Sequence, residues 1–320
     1  MGSTKPKSSR PSIRGHETKD GRQEVRKLGM KRLRRFSTLF TKTIQTDKPK
    51  IIHDFRVASR RLQQILDELY PPPRSPHIHL LRSRIRNSRR ALSKARDYDV
   101  FIAAIEKHPI FKLRKNQSTL TTVLRRLHKR RTKQMKKAYS KFAKVDVPEL
   151  CTNLNQMFSN DAPSHNKKGH TQSQQWLHPQ HSKNNLHKLW QDFANEVTIS
   201  LRGTQPTNLH RVRIMAKRLR YSLEVMEDLG YSGVVTHLKW LHRLQQYLGD
   251  WHDFEVQEMI LLKMRSRGSE SIRTKWDDFL IEVIREMQTE KTNIEKRYIK
   301  LVRSNDELRQ LRQWIKQPAR

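Results

Sequence analysis

Two segments of the chain repeat one pattern, and this repeat restricts the fold more than any other feature. IHDFRVASRRLQQIL occupies residues 52–66, and LHRVRIMAKRLRYSL occupies residues 209–223. A second pair, LSKARDYDV (92–100) and LGDWHDFEV (248–256), follows in the same order with an offset that differs by one residue. Patterned segments that recur in one order at nearly constant spacing indicate a duplicated structural unit.

The apolar residues of both repeats recur at helical spacing. In the first repeat Phe55, Leu62 and Leu66 fall on one stripe, and in the second Val212 and Leu219 do the same. Strand-type alternation is scarce along the chain. The sequence therefore predicts an all-α fold of two four-helix bundles, formed by an internal repeat and related by pseudo-two-fold symmetry.

Changes in composition divide the chain of 320 residues into five expected segments. They are a disordered basic tail (1–22), a first helical repeat unit (23–146), a polar linker with a short ordered piece near 150–158 (147–184), a second helical repeat unit (185–305) and a basic C-terminal tail with a possible helical start (306–320). Ser75 followed by Pro76 predicts a helix N-cap within the first unit.

The charge balance of the chain points to an anionic partner. Lysine and arginine number 67 against 31 aspartates and glutamates, a formal net charge of +36. Such an excess favours binding to nucleic acid, an anionic membrane surface or a phosphate polymer. A single cysteine, Cys151, fits a reducing cytoplasm, and no run of 18 apolar residues predicts a membrane span. No cofactor is expected.

Helical phase places one-signed charges opposite the apolar stripes. His53, Arg56 and Arg60 share the outer face of the first repeat. The second repeat and the helix that follows the first add further cations: His210, Arg213, Lys217, Arg220, Arg86, Arg89 and Arg90. A basic run on one helix is ordinarily a solvated face. Surface helices usually mix signs, however, so the recurrence in both repeats favours a polyanion-binding surface.

Four segments in order resemble the CHAD domain family, named for conserved histidines in an α-helical domain. They are HDFRVASRRL (53–62), ARDYDV (95–100), LHRVRIMAKRLRYSLEVM (209–226) and LQQYLGDWHDFEV (244–256). The resemblance covers about residues 24–305. It implies two four-helix bundles that bind inorganic polyphosphate through basic helix surfaces, in a stand-alone module found in the cytoplasm at polyphosphate granules.

The resemblance also implies which side chains contact polyphosphate. The matching positions are His53, Arg56, Arg60, Arg61 and Arg96 in the first unit, and His210, Arg213, Lys217, Arg218, Arg220 and His252 in the second. Arg86, Arg89 and Arg90 are added from their charge alone. Arg61 and Arg218 lie on the other flank of the stripe, where the seam between bundles is the alternative. Histidine protonation below pH ~6.5 is expected to strengthen binding.

Aspartates beside the site residues have a structural interpretation. Asp97 and Asp253 stand at expected helix starts, where capping is the preferred role, and Asp54 could cap in the same way. His53-Asp54 and His252-Asp253 also resemble the dipeptide of metal-dependent phosphohydrolases. That chemistry needs a further converging His and Asp, and none stands out.

We therefore expect a binding module, with no enzymatic activity and no metal. Histidines in the linker, at His165, His170, His178 and His181, have irregular spacing and no partner cysteines, which argues against a metal site. The rival interpretation is RNA or other nucleic-acid binding, for which Tyr221 and Trp240 are the aromatic candidates. A third is a scaffold whose tails or linker bind a protein.

Overall fold

The computed structural model describes residues 17–70, 72–107, 117–159, 179–203, 205–266, 270–304 and 306–317. The regular elements within these ranges are α-helices, which confirms the predicted all-α class. In chain order they are α1 (Glu17–Gln45), α2 (Pro49–Leu69), α3 (Pro76–Ala91), α4 (Ser93–Lys107), α5 (Gln117–Ala143), α6 (Val147–Ser159), α7 (Pro179–Arg202), α8 (Pro206–Asp228), α9 (Val234–Arg265), α10 (Glu270–Arg303) and α11 (Asp306–Lys316).

Prolines and a serine cap set the starts of the helices that carry the repeats. Pro49 begins α2 and Pro206 begins α8, where a missing backbone N–H costs nothing. Ser75 is the N-cap of α3, and its side chain accepts a hydrogen bond from the Ile78 backbone N–H at 3.4 Å. This confirms the predicted cap. The repeats are thereby held in helices whose phase is fixed from the first turn.

The apolar stripes of α2 and α8 are buried as the helical phase predicts. Phe55 and Leu62 on α2 are fully buried, as are Val212 and Leu219 on α8. Phe55 also anchors an aromatic cluster, with its ring centroid 5.1 Å from that of Phe36 on α1. Because the apolar faces point into the core, the basic faces of α2 and α8 are turned away from it.

Two hydrophobic cores lie beneath the helices, but they do not divide at the boundary between the repeats. One core joins α1, α2, α3, the start of α4, the end of α5 and α6, and the other joins α7 to α11. The far end of α4, with Phe101, and the start of α5, with Val123, pack into the second core. In return Val225 of α8 belongs to the first. The two halves are therefore interlocked, which the division by sequence did not predict.

The order of elements is similar in the two halves, with one difference. Helices α1, α2, α5 and α6 have counterparts in α7, α8, α10 and α11. In the second half α9 is one continuous helix of 32 residues, whereas the corresponding stretch of the first half is divided into α3 and α4 at Leu92. Pseudo-two-fold symmetry between the halves stays a prediction.

The predicted linker is a helix over part of its length. Residues 147–159 form α6, whose Leu150, Leu154 and Phe158 are buried in the first core. The expectation of a short ordered piece holds, but this piece is core and not connection. Residues 160–178, with His165, His170 and His178, lie outside the described residues, and so does the side chain of His181.

The predicted N-terminal tail was too long, and the possible helical start of the predicted C-terminal tail is helix α11. Residues 17–22 belong to α1, and residues 1–16 lie outside the described part of the chain. At the other end, Leu308, Leu311 and Ile315 of α11 are buried in the second core. The indole Nε1–H of Trp314 donates to the Ser232 carbonyl at 2.9 Å. The last described helix is therefore an integral part of the fold.

No helix within the described ranges is long and apolar enough to cross a membrane.

A single substitution tests whether α11 is structural. We expect Leu311→Ala to lower the free energy of unfolding by about 2–5 kcal/mol, because it leaves a cavity in the second core. Arg309→Ala, on the exposed face of the same helix, serves as the control and should change it by less than about 0.5 kcal/mol. Urea unfolding followed by circular dichroism measures both. Equal, small effects would show that α11 contributes nothing to the core.

Candidate anion-binding groove

The basic faces of α2 and α8 meet across the boundary between the two halves. Gln64 of α2 donates a hydrogen bond to the Ser222 hydroxyl of α8 at 3.0 Å. Arg61 of α2 donates to a carboxylate oxygen of Glu224 at 3.0 Å. These contacts hold the two helices side by side, so the two predicted ladders border one shared space.

That space is a groove of about 1030 Å³ between α2, α3, α7 and α8. Seven of the predicted site residues line it: Arg60, Arg86, Arg89, Arg90, Arg213, Lys217 and Arg218. Other lining side chains carry no role in the sequence analysis, among them Gln63, Asn185 and Lys188. Lys188 lies two positions after buried Leu186 in α7, and only the packing of α7 against α8 reveals its place in the groove.

Five cations form what we call the central cationic cluster. They are Arg56, Arg60, Arg89, Arg213 and Lys217. All are half-buried, and they come from α2, α3 and α8. None forms an ion pair with a carboxylate among the described residues. The cluster therefore concentrates positive charge at a place where water screens it poorly.

The pKa values of the cluster reflect this cost. Burial, followed by repulsion from Arg60, lowers the pKa of Arg56 to about 10 and that of Arg89 to about 10. Burial, with repulsion from Arg213 and Arg60, lowers the pKa of Lys217 to about 6. Burial also lowers the pKa of Arg213. Both causes disfavour the charged form, and a bound anion would oppose both.

Hydrogen bonds fix part of the cluster and leave part of it unsatisfied. The Arg56 guanidinium donates to the Arg89 carbonyl at 2.9 Å and to the Ser93 hydroxyl at 2.8 Å. Arg89 in turn donates to the Gln63 side-chain oxygen at 3.0 Å. The buried Nε of Arg213 has no hydrogen-bond partner within the described part of the chain. Guanidinium groups that are held in place and not fully satisfied are suited to phosphate oxygens.

The aspartates predicted as helix caps do not cap helices. Asp97 lies inside α4, Asp253 lies in the interior of α9, and Asp54 lies within α2, 4.0 Å from Arg35. The capping prediction was wrong because these helices begin earlier than the sequence indicated. Burial raises the pKa of Asp97, and it raises that of Asp253 to about 6, although Arg213 opposes both shifts.

The predicted site histidines lie at the edge of the cationic cluster. The rings of His210 and His252 have centroids 5.7 Å apart. Burial, then repulsion from Arg213, lowers the pKa of His252 to about 4, and it also lowers that of His210. Burial, then repulsion from Arg96, lowers the pKa of His53. The expected gain of histidine charge below pH ~6.5 is therefore corrected, since in the free protein it requires lower pH.

Two predicted site residues are bound to one carboxylate at the seam. Glu224 is buried, and its carboxylate lies 3.0 Å from Arg61 and 3.3 Å from Arg220. The Arg220 guanidinium also lies over the Tyr221 ring, 4.7 Å from its centroid. The ion pair with Glu224 favours the alternative that Arg61 serves the seam between the bundles. Arg218 is exposed and lines the groove.

The described residues contain no group of three or more His, Cys, Asp or Glu side chains that could hold a metal ion.

Comparisons with known proteins agree with the all-helical architecture. A family model described as CHAD domain matches residues 27–262. The fold is similar to the crystal structure of the CHAD domain from the plant Ricinus communis, with a TM-score of 0.60 and 18% sequence identity. That similarity covers 93% of this chain and 92% of the other. No curated protein matches the chain.

One substitution tests the electrostatic cost of the cluster. We expect Lys217→Met to raise the free energy of unfolding of the free protein by about 0.5–2 kcal/mol, because burial beside like charges disfavours the ammonium form of Lys217 and folding must release its proton. The gain should be larger at pH 6.5 than at pH 9.5. The unfolded lysine titrates near 10.5 and the folded one at about 6, so the wild type gains stability as pH rises between these values.

Urea unfolding at the two pH values measures this effect. Lys296→Met, on the exposed face of α10, is the control and should stay within about 0.5 kcal/mol of wild type at both. A Lys217→Met protein that is destabilised, or equally stabilised at both pH values, would contradict the assignment.

Proposed function

This chain belongs to the CHAD domain family, which is linked to polyphosphate-related proteins, and we propose that it binds inorganic polyphosphate in the groove between its two halves. The central cationic cluster is the observation that carries the proposal. Its five cations are contributed by both halves and have no carboxylate partner among the described residues. Half-buried like charges are costly in the free protein, and a bound polyanion offsets that cost.

The form of the groove suits a linear chain of phosphates. Arg60 of α2 and Arg86, Arg89 and Arg90 of α3 line one side of the groove, and Arg213 and Lys217 of α8 line the other, whereas His53 lines a separate cavity. An extended polyanion placed between them meets cations on both flanks along its length. Arginine suits this role because its planar fork donates two parallel hydrogen bonds to phosphate oxygens.

Side-chain chemistry favours polyphosphate over single-stranded nucleic acid in this groove. Single strands are ordinarily held by stacking of bases on exposed aromatic rings. Trp240 is almost fully buried in the second core, and Tyr221 lines the groove with only 6% of its surface exposed and the Arg220 guanidinium over its ring. The two rings that the sequence offered for stacking are therefore not available to bases.

We further propose that the protein is a binding module and not an enzyme. Its cations hold a phosphate chain, and the function of binding is to recruit the protein to polyphosphate granules in the cytoplasm. Incubation of the protein with polyphosphate should release no orthophosphate, and sustained release would refute this part of the proposal.

A calorimetric titration with long-chain polyphosphate tests the site. We expect simultaneous Arg56→Gln, Arg60→Gln, Arg213→Gln and Lys217→Gln substitutions to weaken binding by about 100-fold or more, because charge-assisted contacts are each worth about 1.5 kcal/mol or above. The matched control changes four exposed cations of α10, Lys296, Arg297, Lys300 and Arg303, to Gln. The control should stay within about threefold of wild type.

Titration with RNA of equal total charge completes the design. Unchanged affinity of the fourfold Gln variant for polyphosphate would contradict the proposed site. RNA binding as tight as polyphosphate binding would contradict polyphosphate as the ligand.

Binding should also take up protons. A phosphate beside Lys217 favours the ammonium form and raises the pKa of Lys217 from about 6, so we expect uptake of up to about one proton per site at pH 7.5. Calorimetry in two buffers with different ionisation enthalpies measures the uptake. In Lys217→Met the contribution should disappear while polyphosphate still binds. Identical proton uptake by both proteins would contradict the role of Lys217.

A further inference from the structure

Helix α5 carries a charged surface that the groove does not use. Its 27 residues contain no aspartate or glutamate, although lysines and arginines recur along its whole length. Its exposed cations, which we call the α5 face, are Arg125, Lys129, Lys133, Lys136, Lys137 and Lys141. None of these residues lines the groove. The α5 face is therefore a second cationic surface, distinct from the central cationic cluster.

The spacing of the cations on the α5 face destabilises the helix. Arg125, Lys129, Lys133, Lys137 and Lys141 follow one another at intervals of four residues. Like charges at this interval are neighbours on a helix, and each pair destabilises it by about 0.2–0.5 kcal/mol. No ion pair joins any of the five to a carboxylate among the described residues. The face thus has an electrostatic cost that nothing in the described fold offsets.

The fold does not require this arrangement, as the corresponding helix of the second half shows. Helix α10 holds the same place in the element order, and carboxylates are interleaved with its cations. Its acidic residues include Asp277, Asp278, Glu282, Glu286, Glu290 and Glu295. A long helix at this position can therefore carry mixed charges, which is the usual state of a solvent-facing helix.

The shape of the α5 face favours one kind of polyanion. From Arg125 to Lys141 it extends roughly 24 Å at 1.5 Å per residue. At 100° per residue, its cations fan over roughly 160° of the helix surface. A single phosphate chain occupies a narrow line, whereas the two backbones of a nucleic-acid duplex flank a groove about as wide as a helix. A broad convex face therefore meets phosphates of both strands.

The side chains on α5 do not favour recognition of individual bases. Tyr139 is half-buried, with its hydroxyl donating to the Thr43 carbonyl, and Phe142 is buried. The helix thus presents no exposed Phe, Tyr or Trp ring on which unpaired bases could stack, and its one exposed imidazole is that of His128. Five of the six cations of the α5 face are lysines, which supply mobile point charges without the bidentate geometry that recognises guanine. The apolar side of α5, with Val123, Leu127 and Met135, is buried and unavailable to a lipid surface.

We propose that the α5 face binds the phosphate backbone of duplex nucleic acid independently of base sequence. This function goes beyond polyphosphate binding in the groove and does not rest on it. Affinity comes from displaced counterions, so it falls steeply with salt.

The test measures fluorescence anisotropy of a labelled 24-base-pair DNA duplex of arbitrary sequence between 50 and 300 mM salt. One variant changes Lys129, Lys133, Lys136 and Lys137 to Gln. The control is the α10 variant with Lys296, Arg297, Lys300 and Arg303 changed to Gln, which loses the same charge. Circular dichroism checks folding, and removal of like-charge neighbours should leave the α5 variant at least as stable as wild type.

We expect the α5 variant to bind the duplex at least about 10-fold more weakly near 150 mM salt. The slope of log affinity against log salt should be shallower by about 3.6, or 0.9 for each of four lost contacts. The α10 control should keep the wild-type slope. A groove variant (Arg56, Arg60, Arg213 and Lys217 to Gln) should retain more duplex affinity than the α5 variant does.

Three results would overturn the proposal. The first is that the wild type does not bind the duplex. The second is that the α5 and α10 variants lose the same duplex affinity, which would mean that net charge alone accounts for binding. The third is that the α5 variant weakens polyphosphate binding but not duplex binding, which would make the α5 face an extension of the groove. Loss of polyphosphate binding in the groove variant alone would leave the α5 proposal standing.

Discussion

The crossing of α2 and α8 brings like charges together where they are only half exposed to water, and much of the architecture serves that arrangement. Arg56 and Arg60 come from one helix, Arg213 and Lys217 from the other, and Arg89 from α3 beside them. Repulsion and loss of hydration both disfavour such a cluster. The fold can hold it because the opposite face of each helix is buried in a hydrophobic core, and that burial fixes the direction of the basic face.

Opposite charges are present at the seam, but they lie beside the cluster and not within it. Arg32 donates to Asp228 at 2.7 Å, and Arg61 and Arg220 approach Glu224. The Arg32–Asp228 pair joins α1 to α8 and the Arg61–Glu224 pair joins α2 to α8, whereas the Arg220–Glu224 pair lies within α8. Asp97 and Asp253 attract Arg213 electrostatically. Burial raises the pKa values of both carboxyl groups, so they offset less of the positive charge of the cluster. None of these ion pairs includes a side chain of the central cationic cluster, although Asp67, which pairs with Arg74 and Arg82, also lines the groove.

The helical phase of the repeats was enough to predict the buried stripes of α2 and α8 and the outward ladders, because amphipathic spacing specifies a face. It does not specify which helices cross, so the convergence of both ladders on one groove needed the structure. The start of α4 was predicted too late, and this made Asp97 look like a cap. Likewise α6 and α11 are short helices with polar surroundings. Only their tertiary packing distinguishes them from a linker and a tail.

The central claim is that a polyphosphate chain lies between the two halves and contacts cations from both. A crystal structure of the protein with a defined-length polyphosphate tests it most directly. The account predicts a chain of phosphates in the groove, with Arg60, Arg213 and Lys217 within hydrogen-bond distance of its oxygens. Phosphates bound elsewhere, with the central cationic cluster unchanged and not in contact with them, would contradict the account.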